Sequence, residues 1–205
     1  MIGVTFGVLA DAAGFDLPRI VVMSALVFTG ASQFAAVAVI DSGGSAPAAV
    51  GSALLIAGRN ALYGPVVARI LPRRVLPRLA AAHLVIDETT AMSSVQADEH
   101  DAAGAFWFTG IVLWLLWNAG SVAGAVLGAA LGDPETWGLD AAFPASFVAL
   151  LAPHVRRRPG QVAAFGGAVL AAATVPVTPA GVPLLVAAIA VVPGAVVRSR
   201  AEGTR

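Results

Sequence analysis

Four apolar stretches of this sequence carry polar side chains whose types suit binding and moving a small charged molecule. His83, Asp87, Thr90 and Ser94 recur at i, i+4, i+7 and i+11, which predicts one polar stripe if the segment is helical, with Glu88 just beside it. Ser52, Arg59 and Tyr63 share a second face, with Asn60 next to it. Thr29 and Gln33 stand one turn apart, flanked by Ser32, and Trp117 and Asn118 interrupt a fourth run. An ionisable group at membrane depth costs roughly 3 kcal/mol or more, so it belongs against protein or a water-filled cavity. A cavity holding one guanidinium and two carboxylates suits a zwitterion. The carboxylate goes to Arg59 or a helix N-terminus, and the amine to Asp87, Glu88 or unwound carbonyls. A desolvated carboxylate there is also suited to exchanging protons.

A purely structural account competes at each position. Arg59 paired with Asp87 or Glu88 would simply hold two helices together, because ion-pair networks form for structural reasons too. Gln33 and Asn118 also fit the role of interhelical hydrogen-bond glue, at ~0.6–2 kcal/mol each. Glu88 stands near the end of its block, within reach of the interface. His100 lies in an acidic strip and His154 beside arginines, both read as loop or interface positions.

The residues that are missing close off much chemistry. The chain has no lysine and no cysteine, which removes the P-loop lysine, the Schiff base, the thiol nucleophile and Cys-based zinc sites. The three histidines have no metal-ligand spacing, so no metal or cofactor is expected. Ser32 has no histidine on an adjacent motif and His83 no ligating companion, so no enzyme is expected. A net charge of zero, without a basic surface interleaved with aromatics, argues against nucleic acid.

The elements that must position these residues are membrane helices. Of 205 residues, 58% are hydrophobic and only 12% charged, too few charges to cover a soluble surface. The apolar residues fall in blocks at about 1–13, 20–40, 46–71, 79–95, 104–131, 141–155, 161–176 and 180–197. This predicts an all-α, polytopic membrane bundle of about six to eight spans, one transmembrane domain over residues 1–205. Several blocks are short and punctuated by Pro and Gly, which predicts broken or re-entrant segments. Arg69, Arg73, Arg74 and Arg78, then Arg156, Arg157 and Arg158, and finally Arg198 and Arg200 mark cytoplasmic loops. Those assignments agree only if 104–131 folds as a hairpin or 79–95 dips in and returns. Gly120, Gly124, Gly128 and Gly132 form a small-residue ridge for close helix packing.

Five motifs in order resemble the AzlC-type branched-chain amino-acid permease family. They are Met23-Ser24 with Val27-Phe28-Thr29-Gly30-Ala31-Ser32-Gln33-Phe34; Arg59-Asn60-Ala61-Leu62-Tyr63-Gly64; Asp87-Glu88-Thr89; Trp117 with Gly120 and Gly124; and Gly138-Leu139-Asp140 through Phe143-Pro144-Ala145. The likeness runs from Gly3 to about Leu151. Asn60 stands where the family usually has His, Ala57 where it has Asn, and Ile86 where it has Thr. Gly3-Val4-Thr5-Phe6-Gly7 resembles a motif inside the family's first helix, so residues 1–13 are expected to be the remaining part of that helix.

The resemblance implies the large subunit of a two-component exporter of branched-chain amino acids (valine, leucine, isoleucine and also methionine) in the bacterial plasma membrane. It implies drive by the proton gradient and a small hydrophobic AzlD-type membrane partner. Gln33, Arg59, Tyr63, Asp87 and Glu88 fall on the family's motifs, while Asn60, His83 and Asn118 are candidates from the polar pattern. A non-transporting membrane scaffold and a transporter of another small zwitterion are the alternatives.

Overall fold

The computed structural model describes residues 1–131 and 154–193 and, between them, residues 136, 138, 141, 145, 148, 151 and 152. Those residues form helices, turns and loops, with no β-strand among them. In chain order the helices begin with α1 (Ile2–Ala12), α2 (Leu17–Leu26), α3 (Ala31–Asp41) and α4 (Ala46–Ala57). A 3-10 turn (Gly58–Tyr63) then leads into a single turn, α5 (Gly64–Val67). After these come α6 (Val75–His83), α7 (Asp87–Ser94), α8 (Glu99–Leu131), α9 (Arg158–Thr174) and α10 (Val182–Ala187).

The helix α8 is one continuous helix of 33 residues, so 104–131 is not a hairpin. At ~1.5 Å per residue it reaches about 50 Å, beyond the ~30 Å of a hydrocarbon core. It is the one helix among the described residues long and apolar enough to cross a membrane alone. Its outer side chains, such as Phe108 and Leu116, are exposed, as lipid-facing positions are. Gly132, the last position of the glycine ridge, and residues 139, 140 and 142–144 of the last motif lie outside the described residues, as do Arg198 and Arg200.

The interruption falls in 79–95 instead. Helix α6 stops at His83 and α7 starts at Asp87. Buried Thr89 makes the break: its hydroxyl accepts from the Ile86 N–H at 3.0 Å and lies 2.7 Å from the Leu84 carbonyl, to which it donates. A threonine so placed satisfies backbone groups that a continuous helix would have paired internally. The expected single stripe from His83 through Ser94 therefore does not exist, because His83 and Asp87 are on different helices. Likewise α4 ends before Arg59, so Ser52, Arg59 and Tyr63 do not share one α-helical face. Ser52 is buried and donates instead to the Gly181 carbonyl at 3.5 Å.

Helix α1 packs along α8 through glycines on both. A Cβ at Gly124 would lie 2.0 Å from the Val4 carbonyl oxygen, and one at Gly7 2.1 Å from that of Ser121. Gly3, Gly120 and Gly128 make looser approaches, at 2.9, 3.2 and 3.1 Å. Contact of this kind replaces the hydrophobic driving force that lipid removes. Beside it, Phe6, Ile20, Phe34 and Ala125 form a core joined by Trp117. A second core gathers Phe28, Val67, Ala81, Leu84, Ile86 and Phe106.

Candidate functional site

The α2–α3 block is a broken helix whose halves have 10 and 11 residues, each too short to cross ~30 Å alone. Asp16 caps the start of α2 by accepting from the Arg19 N–H at 3.0 Å, and Pro18 follows it. Residues 27–29 leave the helix, and Gly30 restarts it at φ +56°, a backbone region that side-chain-bearing residues rarely adopt. The Thr29 and Ser32 hydroxyls are hydrogen-bonded across this restart.

Unwinding frees carbonyls that lipid cannot satisfy, so the chain must supply donors. Trp114 and His83 do so, and Gln33 braces the break. Gln33, fully buried on α3, donates from Nε2 to the Met23 carbonyl at 3.0 Å and so ties the two halves together. Trp114 Nε1 donates to the Ala25 carbonyl at 3.1 Å, and His83 Nε2 reaches the same oxygen at 2.9 Å. A carbonyl only accepts, so the His83 proton sits on Nε2. Gln33 Oε1 and Trp117 Nε1 are buried without a hydrogen-bond partner among the described residues, and the Trp117 ring packs close to Gly30.

A second polar group stands beside the break. Arg59, on the 3-10 turn, places its guanidinium 3.2 Å from the Asp87 carboxylate at the head of α7, each side chain 37% exposed. Tyr63 faces the same carboxylate. Glu88 is exposed and makes no ion pair within 4 Å among the described residues. Asn118 turns onto its own helix, donating to the Trp114 carbonyl at 2.8 Å.

Between the break and α6 lies a cavity of about 680 Å³. Leu26, Val27, Phe28 and Thr29 form one wall, and Asn60, Ala61, Gly64 and Pro65 a second. Arg78, Ala82, His83 and Val85 form a third. Asn60 and His83, both read from sequence as site residues, thus meet at this cavity. Gln33 braces its wall from behind, and Arg59, Tyr63 and Asp87 form their own group at its margin. Sequence reasoning missed Arg78, Thr89 and Trp114. Arg78 was hidden in a loop cluster, although its spacing of four from Ala82 puts the two on one face if the segment is helical. A further cavity of about 520 Å³, lined by Val39, Ser42, Ile56, Thr178 and Leu184 among others, has no charged side chain in its lining. Among the described residues no three His, Asp or Glu side chains come close enough to hold a metal ion.

The family described as AzlC protein matches residues 1–131. The chain is 31% identical to an uncharacterized membrane protein of Archaeoglobus fulgidus over 169 residues, 80% of this chain and 73% of that one. It is 27% identical to an uncharacterized membrane protein of Helicobacter pylori over 175 residues, 83% of this chain and 75% of the relative. It is 30% identical to the inner membrane protein YgaZ of Escherichia coli over 161 residues, 75% of this chain and 66% of that protein. No solved structure matches. The family match covers the helix break and the Arg59–Asp87 pair, and this chain belongs to the AzlC family of membrane proteins.

Proposed function

We propose that the chain is the large subunit of a proton-driven exporter of branched-chain amino acids in the bacterial plasma membrane. Valine, leucine and isoleucine are its substrates, with methionine as a further one, and a small hydrophobic AzlD-type protein is its partner. The observation that carries this reading is the broken helix at the family's first motif with a cavity at the break. Interrupted helices whose ends face a cavity are how secondary transporters expose backbone charge to a substrate within the membrane. Six to eight crossings, with Arg69, Arg73, Arg74, Arg78 and the Arg156, Arg157 and Arg158 cluster in the cytoplasm, complete the topology. Asp87, half-exposed beside Arg59, is the group through which proton movement couples to transport, with Glu88 next to it.

The test is efflux of valine, leucine, isoleucine and methionine from cells fed the matching dipeptides, with this chain alone and with its small partner. Export that needs both subunits and collapses when the proton gradient is discharged supports the reading. Wild-type expression with no efflux in any arrangement would favour a scaffold without transport, and efflux of other zwitterions only would move the substrate class.

A further inference from the structure

Resting on the transport reading, we propose that the cavity at the α2–α3 break is the substrate site of this conformation, and that Arg78, not Arg59, receives the substrate carboxylate. Arg59 is already engaged by Asp87 at 3.2 Å. Arg78 lines the cavity and has no carboxylate within 4 Å among the described residues. An uncommitted guanidinium offers a planar, two-pronged donor that fits a carboxylate, which a lysine or a histidine does not reproduce.

The opposite wall suits an ammonium group. Leu26, Val27 and Phe28 line the cavity, and their carbonyls accept no hydrogen bond from the described chain. They follow the C-terminal end of α2, where aligned peptide dipoles place partial negative charge. His83 and Trp114 hold this wall through the Ala25 carbonyl just before it. Asn60 and Thr29 add neutral polar groups, while Leu71, Pro65 and Val85 offer apolar surface for a branched side chain. The volume of about 680 Å³ falls in the ~300–1,000 Å³ range of small-molecule sites. Ala68, Leu71 and Arg78 also connect the cavity to the arginine-bearing segment that the charge distribution assigns to the cytoplasm. This is the side from which an exporter loads.

The experiment uses the full chain in lipid nanodiscs, with and without its co-expressed small subunit, and reads thermal stabilisation by three probes. These are valine, valinamide (no carboxylate) and isovalerate (no amine). Wild-type protein is expected to bind valine about 10- to 100-fold more tightly than valinamide, the usual range for a hydrogen-bonded charge pair. Arg78→Gln is expected to weaken valine to the valinamide level and leave valinamide unchanged. Arg59→Gln is expected to keep the discrimination. Arg78→Gln binding valine as wild type does, or Arg59→Gln losing the discrimination instead, would overturn the assignment. Stabilisation of the wild type by none of the probes, in either arrangement, would count against the transport reading itself. Photolabelling of unmutated protein with a diazirine analogue of leucine provides a readout independent of any variant's folding. Labels on residues 26–29, 61 or 82–85 support the site, and labels confined to residues 35–42 and 175–184 overturn it.

Discussion

The side-chain amide of Gln33 donates to the carbonyl of Met23 at 3.0 Å, joining the two halves of a helix broken between them. Met23 also accepts from the Val27 N–H at 2.9 Å, so its oxygen keeps one partner when Gln33 is removed. Gln33→Leu should therefore cost only about 1 kcal/mol, the net value of one hydrogen bond. Gln33→Glu sets a fully buried carboxylate against a carbonyl and should cost several times more, unless it protonates. Thermal unfolding in detergent distinguishes the two, and equal stability of both variants would remove Gln33 from its bracing role.

Asp87→Asn should leave expression and thermal stability nearly unchanged while export is lost. The Arg59–Asp87 pair is more than a third exposed on both sides, and pairs of that kind contribute about 0–1 kcal/mol. A structural pair alone would allow Asp87→Asn to transport. Parallel measurement of membrane expression and valine efflux decides, and unchanged efflux takes Asp87 out of the mechanism.

Two glycines on α8 should respond oppositely to alanine. At Gly124 the added methyl meets the Val4 carbonyl oxygen at 2.0 Å, so α1 and α8 must separate, at a cost of about 1–3 kcal/mol or more. At Gly104 nothing lies within 4 Å, and the gain in helix propensity is up to ~1 kcal/mol. The expected melting temperatures are therefore lower for Gly124→Ala and equal or higher for Gly104→Ala. A neutral Gly124→Ala would show that the ridge is not a tight contact.

Thr89→Val removes the hydroxyl that satisfies both Ile86 and Leu84 at the α6–α7 break, and should destabilise by about 1–3 kcal/mol. Thr89→Ser keeps the hydroxyl and should recover most of that loss. Export should fall with Thr89→Val, since the cap positions Asp87 two residues before it. Equal melting temperatures for the two variants would mean that shape, not the hydroxyl, matters at this position.

Composition and motif order determined that the chain is a membrane helical protein of this family. Charge scarcity and apolar block length act through solvation, which depends on sequence and not on fold. The Pro- and Gly-punctuated blocks also announced broken helices. Periodicity failed where helices stopped: His83 and Asp87 have helical spacing, but three residues between them are not helical. Thr89 stood in the Asp87-Glu88-Thr89 motif with no role of its own in the sequence, and the fold gives it one, its hydroxyl closing the break.

Tertiary structure decided which polar residues meet. Whether Gln33 faces a substrate or a carbonyl depends on where the other half of its helix ends. That is a relation across a chain break, which no spacing rule encodes. The same holds for Arg78, a loop arginine by sequence that α6 delivers to a cavity wall. Arg59, the more conspicuous cation in the apolar run, is instead occupied by Asp87, because the 3-10 turn after α4 and the start of α7 bring the two within 3.2 Å. Solvation selects the class of fold from the sequence, but hydrogen bonds and ion pairs act over about 3 Å and depend on how the segments pack.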